Sequence, residues 1–348
     1  MPLTASSRRR RGCRGGRRSR KKGRNWADLP LDAIFAILDK LDHVDILMGP
    51  GQVCRSWRHA ARDEPELWRR IDMRNHADLF NQLNLHGMAQ AAVRRSKGRC
   101  EAFWGEYAGD DEFLDFLDDQ APSLKSLRLI SCYDVSTEGF ANAIEKFPLL
   151  EELELTLCLN VCGDNVFGVV GKVCPQLKRF RLSKHLFYDH GFSGFNPDEE
   201  ALGIATMHEL RSLQLFANML TNEGLTAILD NCQHLESLDI RHCFNVHMDE
   251  TLRAKCASIK TLRLPHDSTA DYDFQVQSPV WRTRNDSQSE DDDDGSSDDM
   301  GYGFDYDDLD SEDYDDYCDP SRYLNGVYED ELDEEDRMVL RAMRALLK

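Results

Sequence analysis

Cysteine and histidine are the residues of this 348-residue chain best suited to chemistry, and Cys158, Cys162, Cys174 and His185 fall close enough together to suggest a zinc site. Thiolate and imidazole at short spacing are what a tetrahedral zinc centre takes. A longer period accounts for them better. Cys158 and His185 stand three residues past the last apolar position of a recurring leucine-rich phrase, where Cys132, Asn218 and Cys243 also stand. Cys174 precedes the next phrase as Cys232 and Cys256 do, which leaves only Cys162 over. No metal site is therefore predicted, and His185 and His190 read as loop residues rather than a catalytic pair. The sequence has no Walker loop, nucleophile elbow, His-Glu-x-x-His or glycine-rich dinucleotide motif, so neither catalysis nor a cofactor is predicted.

The phrase that explains the cysteines also sets the fold. Leu124-x-x-Leu127-x-Leu129 returns from Leu150, Leu177, Leu210, Leu235 and Ile259, at intervals of 26, 27, 33, 25 and 24 residues. This is the leucine-rich-repeat pattern. In each copy the period of two turns alternate side chains of a short strand into a core. The next residues turn the chain, and a helix brings it back; Ser136 and Thr221 are predicted N-caps, with Glu138 and Glu223 in the first turn. No single copy closes a core, so stacking into a curved solenoid is obligatory. Two degenerate copies, Trp68-x-x-Ile71-x-Met73 and Cys100-x-x-Phe103-x-Gly105, precede these, and the third full repeat is lengthened by a protruding loop around Gly191 and Phe195.

Charge separates the flanks from this middle. The formal net charge is −20, yet residues 1–24 carry +11 with no acid, and residues 286–348 carry −19. Both flanks are too charged to bury a core and are predicted to be disordered. The arm reads as a nuclear import signal, with no aromatic side chains among its charges to stack bases. Ser289, Ser297 and Ser311 each precede acids in the tail, the context that acidophilic kinases favour. Beyond the tail, Leu332, Val339, Met343, Leu346 and Leu347 predict an amphipathic helix over about 330–347. No apolar run approaches the length of a membrane span, and the basic start lacks the apolar segment of a secretory signal. Eleven scattered cysteines fit a reducing compartment, the nucleus or cytoplasm.

Between arm and repeats, Asn25-Trp26 leads into Leu29-Pro30 and an apolar stripe of Ile34, Ile37, Leu38 and Leu41. Val53-Cys54-Arg-Ser-Trp57-Arg and Pro65-x-Leu67-Trp68 follow. So small a unit carries more apolar surface than it can bury alone. Gly49-Pro50-Gly51 predicts a helix break within it. The order of these residues, with cysteine-containing repeats behind, resembles F-box/LRR proteins, especially a plant group with Asn-Trp before the Leu-Pro. The resemblance covers residues 25–267. It implies that the box docks on the Skp adaptor of a cullin–RING (SCF) ubiquitin ligase, while the repeats select a protein substrate. It makes Leu29, Pro30, Ile34, Ile37, Leu38, Val53 and Trp57 candidates for the adaptor interface, some of which instead hold the helices together.

If neighbouring strands stack in register, the outward positions form rows. One runs Arg128, Glu154, Arg181, Gln214, Asp239, Arg263; another includes Phe216 and Arg241. The alternating signs predict lateral ion pairs, and Arg128, Glu154, Arg181, Phe216, Asp239 and Arg241 are the candidate substrate contacts, with Phe216 as an exposed anchor. The chain is thus expected to be α+β, a small helical F-box before a curved α/β leucine-rich-repeat solenoid. Its parts are a basic arm (1–24), F-box (25–70), degenerate leading repeats (71–121), leucine-rich repeats (122–270), acidic tail (271–329) and C-terminal helix (330–348). A non-catalytic substrate receptor is the expected function. The alternative is a nuclear scaffold, independent of ubiquitin, that binds basic partners through the acidic tail; no nucleic-acid or membrane partner is expected.

Overall fold

Each leucine-rich phrase places its apolar side chains on one face of a short extended segment, and these segments pair side by side. The computed structural model describes residues 26–80, 82–163, 166–184 and 196–272. The basic arm, the tail beyond Tyr272, the helix expected over 330–347, His185, His190 and Phe195 lie outside the described residues.

Eight parallel strands form one sheet in strictly sequential order: β1 (Arg70–Met73), β2 (Ala102–Glu106), β3 (Ser126–Ile130), β4 (Glu152–Thr156), β5 (Arg179–Ser183), β6 (Ser212–Phe216), β7 (Ser237–Asp239) and β8 (Thr261–Arg263). The register aligns the core column Ile71, Phe103, Leu127, Leu153, Phe180, Leu213, Leu238 and Leu262 across all eight. Both degenerate copies are therefore strands in step with the rest. Gly105 occupies a core position in β2 because the Phe103 ring already fills it; a β-carbon there would sit 2.7 Å from that ring.

Four short helices precede the sheet: α1 (Leu31–Leu38), α2 (His43–Met48), α3 (Pro50–Val53) and α4 (Arg55–Asp63). The returning helices are α5 (Leu85–Arg95), α6 (Asp111–Gln120), α7 (Thr137–Ile144), α8 (Val166–Val173), α9 (Glu199–Ile204), α10 (Asn222–Asn231) and α11 (Glu250–Lys255). Their inward residues, such as Phe113, Phe140, Phe167 and Leu225, meet the strand leucines in one continuous apolar core. Each such side chain contributes about 1.5–3 kcal/mol when fully buried.

Two devices recur between repeats. Tyr107, Ser131, Leu157, Ala217 and His242 adopt positive φ just past their strands, turning the chain so that the next residue points inward. There Cys158 and Cys243 donate Sγ–H to the carbonyls of Leu129 and Leu215 at 3.3 and 3.4 Å. Asn218 in the same position accepts the Leu220 N–H at 2.9 Å. The second device joins helices. Ser136 caps α7 by accepting the Gly139 N–H, and Asp111 of the preceding repeat accepts both the backbone N–H and the hydroxyl of Ser136, at 2.8 and 2.6 Å. Asp198 and Thr221 repeat the arrangement before α10. Gly139 is required by this close approach, since a β-carbon there would overlap the Asp111 carboxylate.

Candidate functional site

The helical box is built around an inner face. Ile34 and Leu38 of α1, Ile46 and Leu47 of α2, and Trp57, Ala60 and Ala61 of α4 are all buried. Pro30 lies one residue before α1, and its carbonyl accepts the N–H groups of Ala33 and Ile34 at 3.0 and 3.2 Å. The expected break at Gly49-Pro50-Gly51 is present as the junction of α2 and α3. Pro50 takes the first position of α3, where no backbone N–H is needed, and its ring is buried.

Of the residues put forward for an adaptor, Ile34, Leu38 and Trp57 therefore point into the protein's own core. The Trp57 indole N–H donates to the Trp26 carbonyl at 3.1 Å. Leu29 and Ile37 are half-buried, and Pro30 and Val53 are exposed. Three further apolar side chains reach solvent: Trp26, Leu31 and Leu41. Trp26 packs edge-on against Trp57 at 6.2 Å, so the outer surface wraps from the segment before α1 to the start of α4. Leu31 keeps the helical spacing of Ile34 and Leu38 but opens α1 and faces solvent, and Trp26 precedes the helix, so spacing alone does not single them out.

His43 fastens the box to the sheet. Its Nδ1 accepts the Asp72 N–H at 3.1 Å, so Nε2 carries the hydrogen donated to the Leu67 carbonyl at 3.1 Å. Beside it Trp68 is fully buried, donating its indole N–H to Ala61 O at 2.9 Å. At the start of α4 the Ser56 hydroxyl, 3.2 Å from Cys54 Sγ, and the Trp57 N–H hold the Cys54 thiol below its usual pKa.

The face of the sheet away from the helices carries a charged row in register: Asp72, Trp104, Arg128, Glu154, Arg181, Gln214, Asp239 and Arg263; Glu154, expected to contact a substrate, is buried among its neighbours. Arg128 and Arg181 both reach Glu154, at 3.7 and 3.4 Å, and Thr156 donates its hydroxyl to the same carboxylate at 2.9 Å. Trp104, in the degenerate second copy, gathers the guanidinium groups of Arg70, Arg74 and Arg128 at 5.5, 4.8 and 4.4 Å. Extending the repeat register backward from Arg128 would have found it.

At the other end the expectation for Phe216 is overturned. It is 2% exposed, because the chain after β8 returns over the sheet and sets the Tyr272 ring on it at 4.4 Å. Arg181 and Arg241 flank that ring at 5.2 and 4.9 Å. The Tyr272 hydroxyl lies 3.0 Å from Ser183 Oγ and accepts from Gln214 Nε2 at 2.7 Å. Arg241, also buried, grips Asp239 through Nε and Nη2, and its Nη1 donates to Asp271 at 2.5 Å and to the Ser268 carbonyl at 2.8 Å. Asp239 first, then Asp271, hold its guanidinium more firmly protonated than usual. Burial pushes the Tyr272 phenol up, so it remains a neutral donor and acceptor. An alternation of strand residues does not reveal a cover supplied by a segment past the last repeat.

Cys158, Cys162 and Cys174 do not converge. Cys158 is buried on a carbonyl of the previous strand, Cys174 donates to the Phe147 carbonyl at 3.5 Å, and Cys162 is exposed. Burial raises the Cys174 and Cys243 thiols to about 12 and Cys232 to about 11. Among the described residues no three His, Cys, Asp or Glu side chains are placed to hold a metal ion, and no helix is long and apolar enough to cross a membrane.

Comparison with known proteins places these surfaces in a family context. The F-box-like domain pattern matches residues 26–74. The chain is 39% identical to the F-box protein SKIP19 of Arabidopsis thaliana over 301 residues, covering 84% of this chain and 93% of that protein. It is 37% identical to F-box/LRR-repeat protein 22 of the same plant, covering 82% and 91%. With F-box/LRR-repeat protein 23 it shares 40% identity over 71% of this chain and 55% of the relative.

Proposed function

The chain belongs to the F-box/LRR-repeat family, and from that premise we propose that it is the substrate-recognition subunit of a cullin–RING (SCF) ubiquitin ligase. The box docks on the Skp adaptor, and the exposed face of the sheet holds a protein target. One observation carries this reading. The inner face of the box is complete, with Ile34, Leu38 and Trp57 buried, yet Trp26, Leu31 and Val53 remain 59, 51 and 50% exposed on so small a unit. Covering the exposed half of each such side chain contributes about 1 kcal/mol, which is the driving force a docked adaptor helix would exploit.

The mechanism is proximity. Tethering adaptor and target to one rigid body turns ubiquitin transfer from a chance encounter into a local reaction, while the covalent chemistry belongs to other subunits. Pull-down of the full chain with the Skp adaptor tests this. Pro30→Ala, Leu31→Ala and Val53→Ala together reduce capture at least tenfold with the melting temperature unchanged; undiminished capture refutes the reading. The arm at 1–24 directs the complex to the nucleus in this reading, and a fluorescent fusion lacking it then redistributes to the cytoplasm.

A further inference from the structure

The contacts around Tyr272 span three repeats, and each is matched to one feature of an aspartyl-tyrosine unit. Phe216 at the end of β6 receives the face of the ring. Arg181 from β5 and Arg241 beyond β7 stand at its sides. Ser183 and Gln214 bind the hydroxyl. Arg241 and Arg263 together hold the preceding carboxylate, Asp271, at 2.5 and 3.1 Å. An apolar plug would need only Phe216; a counter-ion for the arginines would need no ring. Aromatic-face contact, cation–π flanking and charge-assisted hydrogen bonds act here on adjacent residues of one peptide.

We propose that this pocket is the recognition site for the protein target, that it takes an Asp-Tyr segment, and that the chain's own Asp271-Tyr272 occupies it in the resting state. The proposal rests on the substrate-receptor reading and names the chemistry of the substrate. A target presents a tyrosine preceded by an acid and displaces the internal copy. The sequence supplies its own competitors as well: the triplet Asp271-Tyr272-Asp273 recurs as Asp305-Tyr306-Asp307 and Asp313-Tyr314-Asp315, and Asp316-Tyr317 adds one more Asp-Tyr pair. The acidic tail thus acts as a reservoir of pocket ligands, which sets a threshold that an external target must exceed.

A fluorescently labelled peptide with the sequence of residues 268–275 is the probe, titrated by polarisation against the full chain. The comparison is a full chain carrying Asp271→Ala, Tyr272→Ala, Tyr306→Ala, Tyr314→Ala and Tyr317→Ala, which removes every internal Asp-Tyr segment and leaves the pocket walls intact. The variant binds the peptide at least tenfold more tightly than the parent. A peptide with its tyrosine replaced by phenylalanine binds the variant more weakly, and one with alanine in that place loses binding. Equal affinity for parent and variant, absence of binding to both, or undiminished binding of the alanine peptide would each overturn the proposal. Capture of the same preparations by the Skp adaptor is measured alongside. Loss of peptide binding with adaptor capture intact sinks this inference alone, whereas failure of capture sinks the substrate-receptor reading.

Discussion

Replacing Asp111 by alanine removes the clamp that joins α6 to α7. Its carboxylate accepts the Ser136 N–H at 2.8 Å and the Ser136 hydroxyl at 2.6 Å, and that hydroxyl oxygen accepts the Gly139 N–H at 2.9 Å. Hydrogen bonds to a charged acceptor contribute roughly 1.5–3 kcal/mol each. Asp111 and Ser136 are half-buried, so water compensates part of the loss, and Asp111→Ala costs about 2–3 kcal/mol. Gly139→Ala costs a similar ~2–3 kcal/mol, because the added methyl overlaps the carboxylate and forces the same bonds open. Once Asp111 is alanine, that obstacle is gone, and a glycine-to-alanine change within a helix stabilises by about 0.5–1 kcal/mol. The two substitutions therefore fail to add by ~3 kcal/mol. Thermal melting followed by far-ultraviolet circular dichroism reads this directly. At about 2–4 °C per kcal/mol, each single variant melts roughly 4–12 °C below the parent, and the double variant melts no lower than Asp111→Ala alone. Melting of the double variant at the sum of the single losses would refute the clamp.

Other outcomes follow from the burial and charge of particular groups. Trp57→Ala destabilises by about 3–5 kcal/mol, as a buried aromatic does, whereas Val53→Ala at its exposed site stays within about 0.5 kcal/mol; urea denaturation separates them. Glu154→Ala removes the carboxylate shared by Arg128 and Arg181, while Arg128 keeps Glu152 at 3.3 Å, and costs about 1.5–3 kcal/mol in the same assay. Iodoacetamide at neutral pH modifies Cys54, whose lowered pKa raises its thiolate fraction, while Cys174, Cys232 and Cys243 react only after unfolding; mass spectrometry of the digest checks the order. Burial pushes the Asp72 carboxyl up, but the hydrogen bonds and charge of Arg74 outweigh it and leave the pKa lowered. Its stabilisation is complete above the usual carboxylate range and is lost as the pH falls through the lower native value. Asp72→Asn accordingly flattens the acid limb of the stability profile.

The repeat register was legible from Leu124 to Leu264 because a period of two in each strand and a Cys, His or Asn recurring at the turns are local signals. The column of core residues follows from them directly. The degenerate copies were legible as well, since Ile71 and Phe103 keep the spacing even where Gly105 breaks the pattern. The partition of the box was not. Leu38 and Leu31 are equally apolar, and only the packed position of α4 decides that one is buried and the other faces water. Phe216 shows the same limit on the sheet. Its row assignment is right, yet its exposure depends on Tyr272, 56 residues further on, and no periodicity links the two.

The paired hydrogen bonds of His43 make the box and β1 a single piece, and the sheet beyond it has no skipped or crossed strand. Phe216 on β6 thus stands five places along from the point of attachment, about 24 Å at ~4.8 Å per place. Span along such a sheet is quantised: gaining or losing one repeat moves a bound segment by a whole place and never by a fraction. If the chain is the receptor proposed above, the distance from adaptor to target is then set by counting strands.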